Sequence, residues 1–410
     1  MSGLSYLEKL LDGVEVKWFH VGDVCEIKRG TPITKRNVTD GKIPVIAGGR
    51  TFTYFHNVSN RVGETIVIAG SGAYAGFVSW WEKPIFVSDA FTVKPCDRLL
   101  SKYCFYWFQR IQGELYALKT GGGIPHIYPR DISPIKIPIP CPDNPEKSLA
   151  IQSEIVRILD TFTALTNELT NELTNELKVR RQQYNYYREQ LLSFKEGEVE
   201  WKRLGEIAEY SKTRISFEQL DETNYVGVDN LLQNCEGKTQ SNYVPKSGNF
   251  TEFREKDILI GNIRPYLRKI WQADCAGGTN GDVLVIRCNN NSISVRYLYQ
   301  VLADGNFFEY NMKYAKGAKM PRGNKEAILK YRIPIPPFNE QIRIITILDK
   351  FDTLTSSISE GLPLEIELRK KQYEYYRDLL FSFPKPVSAD SLPAIKSLLA
   401  LRCIAGIRSD

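Results

Sequence analysis

The stretch ALTNELTNELTNELK, residues 164–178, holds three tandem copies of Thr-Asn-Glu-Leu. Leu165, Leu169, Leu173 and Leu177 recur every fourth residue and Glu168, Glu172 and Glu176 keep the same step, a spacing that suits one face of a helix and no strand. At about 100° per residue each copy advances the apolar seam by about 40° and lengthens the rod by about 6 Å. The period is too long for a strict heptad coiled coil. Copy number therefore sets a distance and an angle between whatever lies at the two ends of the helix.

Working outward, Ile155, Ile158, Phe162 and Leu165 precede the copies at steps of three or four, and Tyr184, Tyr187, Leu191 and Phe194 resume the pattern after them. The spacing predicts one helix over 151–194, about 66 Å long. A second amphipathic stretch, 340–383, repeats the first at an offset of 189 residues. Ile158-Leu159-Asp160 returns as Ile347-Leu348-Asp349, and QQYNYYREQLLSF at 182–194 returns as KQYEYYRDLLFSF at 371–383. Gly361-Leu362-Pro363 falls where the first helix has Glu172-Leu173-Thr174, and a proline there predicts a kink or interruption. Two rods that each hide one face pack most simply on each other, and a whole domain between them favours an antiparallel pair with the two bodies at opposite ends.

Other repeats keep other offsets. Ile137-Pro138-Ile139-Pro140 answers Ile333-Pro334-Ile335-Pro336 at 196, with Pro125 answering Pro321 in the same frame, and EVKWFHVGDVCE at 15–26 answers EVEWKRLGEIAE at 198–209. Each unit is thus an opening segment with Trp18 or Trp201, a variable body, an IPIP exit and a long helix. The bodies read as strands and turns, with runs such as Thr65 to Ala69 and Val283 to Ile286 bounded by Gly, Asn, Asp and Pro, plus one helix each near 101–118 and 295–310. The expected fold is α+β: two β-rich globular domains (15–150 and 196–339) alternating with two long helices (151–195 and 340–384). The helices are expected to pack as an antiparallel coiled coil with pseudo-twofold symmetry, after an N-terminal segment (1–14) and before a tail (385–410).

Composition narrows the chemistry. The 410 residues carry 54 basic and 48 acidic side chains, a mild +6, so any electrostatic case rests on local placement. None of the eight cysteines falls in a CxxC pair and there are only three histidines, which predicts free thiols, no metal site and a reducing cytoplasm. No signal peptide or membrane span is legible. Gly70-Ser71-Gly72-Ala73-Tyr74-Ala75 matches a dinucleotide-binding pattern, but strand-like sequence follows where a helix is required. Pro336-Pro337-Phe338 ends like an amino-methyltransferase motif, yet Ile335 stands where a polar acceptor is needed. No catalytic constellation is found.

What remains are basic, aromatic loop clusters suited to nucleic acid, in which cations hold phosphates and Arg or Asn reads base edges. In the first body these are Lys28, Arg29, Thr31, Lys35, Arg36, Arg50 and Tyr54, then Lys119, His126, Tyr128 and Arg130. In the second they are Lys212, Arg214, Asn262, Arg264, Tyr266, Arg268, Lys269, Lys316, Lys319 and Arg322. Leu165, Leu169, Leu173, Leu177, Tyr184, Tyr187, Tyr373 and Tyr376 are assigned to helix packing. Any single cation is a solvated surface charge until its neighbours are known; the case rests on recurrence in both bodies.

The layout resembles the DNA-specificity subunit of type I restriction-modification systems, and the segments around IPIPCPDNPEKSLAIQSEIVRILDTFTALT, the tetrapeptide repeat and QYEYYRDLLFSFPKP are similar to the group with repeats in its central helix. The resemblance implies two target-recognition domains, each binding one half of a split, asymmetric site on double-stranded DNA. It implies helices that measure the unread spacer and dock two methyltransferase subunits, with two restriction subunits joining that core. It also implies a non-catalytic chain with no cofactor of its own, its partners using S-adenosylmethionine, ATP and Mg2+. A protein-binding adaptor with two β-rich modules on a helical rod is the alternative.

Overall fold

The computed structural model describes residues 6–121, 123–356 and 360–384. Residues 1–5 of the expected N-terminal segment and the whole expected tail, 385–410, lie outside them. The chain forms two compact units, Met1–Glu168 with Arg369–Asp410, and Leu169–Leu368.

The repeated anchors pair with each other and close each body. Val16–His20 runs antiparallel to Lys136–Pro140 with Trp18 opposite Pro138, and Glu200–Arg203 runs antiparallel to Arg332–Ile335 with Trp201 opposite Pro334. Both pairs are two-stranded, so every strand is an edge and a proline's missing N–H costs no ladder bond.

Within each body the main sheet has four antiparallel strands in the same order. The first unit runs Cys25–Arg29, Ala90–Pro95, Thr65–Ala69, Val78–Trp81; the second runs Ala208–Tyr210, Val283–Cys288, Ile258–Gly261, Ile270–Gln272. The central strands are apolar on both faces, TIVIA and ILIG being buried throughout, because a helix layer covers one side and a three-stranded sheet adjoins the other. The helices near 101–118 and 295–310 are each split in two, as Ser101–Arg110 with Gln112–Ala117 and Val295–Leu302 with Gly305–Lys313.

The long helix is continuous over Pro145–Leu192, about 72 Å. It starts six residues before the expected 151, since Pro145 suits a first turn and Asn144 Oδ1 accepts from Lys147 N–H at 3.1 Å. Ile151, Ile155 and Leu159 enter the first unit's core, whereas Tyr184 enters the second's. Leu169, Leu173 and Leu177 are half-buried and Leu165 is 50% exposed, because a four-residue period drifts off any one seam.

The second stretch consists of two helices, Phe338–Ser356 and Gly361–Leu380, with residues 357–359 outside the described set. The reason differs from the expected one. Gly361 takes a left-handed φ of +80°, and a Cβ there would lie 2.6 Å from the Thr353 carbonyl oxygen. Pro363 sits in the first turn of the new helix, where no backbone partner is lost.

Antiparallel helix contacts occur inside each unit. In the first, Phe162 lies 5.3 Å from Tyr376 between ring centroids and Thr163 Oγ1 donates to Tyr373 Oη at 3.1 Å. In the second, Tyr184 and Tyr187 stack on Phe351 at 6.0 and 5.5 Å, while Arg181 Nη2 reaches the Thr355 carbonyl at 3.5 Å.

Each body is locked to its helix by matching devices. Asp160 takes Lys102 Nζ at 3.0 Å and Tyr106 Oη at 2.6 Å; Asp349 takes Arg296 Nε at 2.7 Å, with Asp352 on Nη2 at 2.8 Å. Burial disfavours the Arg296 charge, but Asp349 and Asp352 outweigh it and hold the guanidinium above its usual range. Gln152 and Gln341, 189 residues apart and both 0% exposed, bind the chain just before each body's helix. Gln152 Oε1 accepts from Leu100 N–H at 2.9 Å, and Gln341 Oε1 accepts from Ser294 N–H at 2.8 Å while its Nε2 donates to the Ser292 and Pro336 carbonyls. Gln341→Leu keeps the volume and strands those groups, at about 1–3 kcal/mol for each one left unpaired. Urea denaturation should show that loss; an unchanged midpoint would mean water replaces the amide.

Candidate nucleic-acid interface

The two bodies, unlike in sequence between their anchors, build the same loop at the end of the same strand. Beyond Thr65–Ala69 the chain passes through Gly70 and Ser71; beyond Ile258–Gly261 it passes through Asn262 and Ile263. A hairpin closes on each. In the first unit Thr120 and His126 exchange backbone hydrogen bonds at 2.9 and 2.8 Å, Gly72 N–H donates to the Pro125 carbonyl, and Ile127 N–H donates to that of Gly70. In the second, Lys316 and Arg322 exchange bonds at 2.9 and 2.8 Å, Arg264 N–H donates to the Pro321 carbonyl, and Gly323 N–H donates to that of Asn262. Gly121 and Gly317 make the turns at φ +107° and +98°, which L side chains rarely adopt. Gly122 lies outside the described residues. The 196-residue offset that links Pro125 to Pro321 also carries Gly121 to Gly317 and His126 to Arg322, and that was the available signal.

The same frame is lined by different side chains. In the first unit Tyr128 carries the cluster: His126 stacks on it at 6.0 Å and 11°, Arg130 lies 4.8 Å from its ring centroid and Arg29 lies 5.5 Å away. Arg50 covers Tyr74, 4.8 Å from its ring, because Gly48 lets its loop press against the Ser71 carbonyl. Lys119 Nζ donates to the Ala73 carbonyl at 2.9 Å. The structure thus brings together Arg29, Arg50, Lys119, His126, Tyr128 and Arg130. Lys28, the residue before Arg29 on the same strand, is exposed, and Arg61 fastens the strand end by donating to the Arg29 carbonyl at 2.9 Å. Of the other sequence candidates, Thr31 N–H donates to the Val87 carbonyl, Lys35–Asn37 is a short turn of 3-10 helix, and Tyr54 belongs to the three-stranded sheet.

In the second unit Lys316, Lys319 and Arg322 are exposed along the hairpin, with Tyr266 53% exposed and Met320 47% exposed. Arg264 is exposed beside them, in a left-handed conformation at φ 53°. Such strain in a non-glycine residue persists only where its surroundings hold it, and here the Pro321 carbonyl does. Three of the sequence candidates support the loop from inside. Asn262 is buried, Lys269 Nζ donates to the Val228 carbonyl at 2.7 Å, and Arg268 lies over Gly305 at the start of Gly305–Lys313. Lys212 pairs with Glu209 at 3.2 Å and Arg214 donates to Thr251 Oγ1 at 3.2 Å, both on the surface at the second sheet.

Acidic residues that composition did not single out complete the frame. Asp89 and Asp282 each precede the strand that follows them, and their carbonyls accept from Gly70 and Asn262 N–H. Arg322 Nη2 donates to Asp282 Oδ1 at 3.2 Å, and Ser71 Oγ donates to Asp89 Oδ2. Beneath the second hairpin, Asn311 leaves both side-chain polar atoms, and Asn262 its Oδ1, without a partner among the described residues. Gly323 makes that packing possible, since a Cβ there would lie 2.7 Å from Asn262 Oδ1. Among the described residues no group of three or more His, Cys, Asp or Glu is placed to hold a metal ion, and no helix is long and apolar enough to cross a membrane.

A family described as the type I restriction modification DNA specificity domain matches residues 13–179 and 196–368. The chain is 38% identical to the type I restriction enzyme EcoR124I/EcoR124II specificity subunit of Escherichia coli, over 94% of this chain and 99% of that one. It is 33% identical to the EcoprrI specificity subunit of Escherichia coli, over 88% and 93% of the two chains. A solved chain reported under complex assembly and conformational transition of the type I R-M system shares the fold. Its TM-score is 0.57 at 17% identity, over 90% of this chain and 98% of that one.

Proposed function

The chain belongs to the type I restriction-modification DNA specificity family, whose members recognise DNA sequence, and from that premise we propose that each unit reads one half of a bipartite, asymmetric duplex site. The observation that carries this is the pair of equivalent hairpins with unlike side chains: one scaffold built twice suits two DNA segments, and different linings suit two different sequences. The long helix sets the unread gap between the halves. The chain itself is a non-catalytic adaptor between DNA and enzyme, working in the cytoplasm. Two methyltransferase subunits, and two restriction subunits that join them, supply the chemistry of S-adenosylmethionine, ATP and Mg2+.

Two equivalent docking points support a pair of methyltransferase subunits. Tyr186 and Tyr375, 189 residues apart, are 59% and 64% exposed, and each packs edge-on against the next tyrosine at 5.5 Å. Exposed aromatics of this kind are typical anchors of protein interfaces. The double variant Tyr186→Ala, Tyr375→Ala is expected to weaken methyltransferase binding at least tenfold while duplex affinity of the isolated chain changes little. Calorimetric titration with the methyltransferase subunit checks it, and undiminished affinity would move docking elsewhere on the helices.

The reading as a whole is tested by methylome sequencing of cells expressing this chain with a matched methyltransferase subunit. A new split motif with unequal halves is expected. No new motif despite a stable complex, together with no salt-dependent affinity for duplex DNA, would favour the protein-binding alternative.

A further inference from the structure

We propose that positions 126 and 322 are the base-reading positions of the two half-sites, and that Arg322, oriented by Asp282, selects a guanine. The inference rests on the DNA-reading function above and assigns its specificity-determining residues.

Both positions stand on the second leg of the hairpin, one residue after the frame proline, and exchange backbone bonds with the first leg. The backbone there is held the same way in both units, so the side chain is the variable part. In the second unit that side chain is a guanidinium, 56% exposed, with Nη2 on Asp282 at 3.2 Å. An exposed ion pair of this kind adds little stability. Its effect is orientation: one Nη2–H is pinned, while the other Nη2–H and the Nη1 and Nε donors have no partner among the described residues, so Nη2 with a neighbouring nitrogen still presents a parallel pair. A fork of parallel N–H donors matches the O6 and N7 acceptors of guanine in the major groove, the pairing for which arginine is best suited. In the first unit the carboxylate equivalent to Asp282, that of Asp89, takes the Ser71 hydroxyl instead, and His126 stacks on Tyr128. An imidazole offers one donor and one acceptor in place of the fork when neutral, so the first half-site is read by a different rule.

The test uses the complex of the chain with its methyltransferase subunit and duplexes carrying single base-pair replacements in the methylated motif, in competition binding at fixed salt. The wild-type complex should disfavour loss of one guanine in one half-site by roughly 5- to 150-fold. Arg322→Ala and Arg322→Lys should both lose discrimination at that base pair and keep it at every other. Asp282→Asn should weaken discrimination at the same base pair only, whereas a folding defect would lower affinity for all duplexes alike. Full discrimination retained in both Arg322 variants overturns the assignment. So does a uniform loss of affinity in Arg322→Ala that Arg322→Lys restores, because that marks a phosphate contact. If the wild-type complex prefers no duplex, the DNA-reading function fails instead, and the two failures are distinct.

Discussion

Deleting Thr170–Leu173 is expected to shorten the unread gap of the methylated motif by one base pair and to abolish methylation at the original spacing. The copies lie inside one unbroken helix, Pro145–Leu192, whose first part belongs to one unit and whose second part belongs to the other. Four residues remove about 6 Å and about 40° between its ends. One base-pair step of B-DNA is about 3.4 Å and 34–36°. The rotation matches one step, and bending or tilt of the DNA takes up the excess translation. No core residue is lost, since Leu173 is only half-buried and the copies present mainly Thr, Asn and Glu to solvent. Methylome sequencing of the deletion beside the parent reads the result directly. An unchanged gap would show that the helix does not measure the spacer.

Phe381→Ala is expected to cost the first unit about 3–5 kcal/mol. Phe381 is 1% exposed, its ring 5.3 Å from that of Tyr103 and 5.6 Å from that of Trp107, and Leu380 and Phe383 enter the same core. The Pro384 carbonyl accepts from Trp18 Nε1 at 2.8 Å, so the segment that follows the last helix is fastened to the opening strand of the first body. Replacing the ring leaves a cavity among rigid aromatics that cannot collapse to fill it. Urea unfolding followed by tryptophan fluorescence should show the transition of the first unit moving to lower denaturant while that of the second stays in place. Coincident, unshifted transitions would mean that the first body folds without this closure. The second unit lacks the matching hydrogen bond: Trp201 Nε1 is buried without a partner among the described residues, and Arg332 covers the ring at 5.2 Å.

Periodicity and repetition made much of this legible beforehand. A four-residue step admits only a helix, and the 189-residue offset marks two matching helical frames. The opening Trp segments and IPIP exits repeat because they pair with each other. Thr65–Ala69 and Val283–Cys288 read as strands because continuous apolar runs bounded by turn residues have few other solutions.

Tertiary structure alone decided the rest. The bodies share their sheet order although their sequences between the anchors look unrelated, because a strand buried on both faces constrains only apolarity and length. Basic residues in a loop cannot be sorted by type: Lys269 donates to the Val228 carbonyl and Arg268 packs over Gly305, whereas Lys319 and Arg322 reach solvent, and only the fold separates the two uses. The break before Gly361–Leu380 is legible as Gly-Leu-Pro, but that it turns on Gly361 and not on Pro363 is set by packing against the preceding helix. Sequence by itself determined the helical frame, its repetition and the family; chain-distant pairing determined that Asp282 meets Arg322 and that Phe381 seals the core of a body more than 200 residues away.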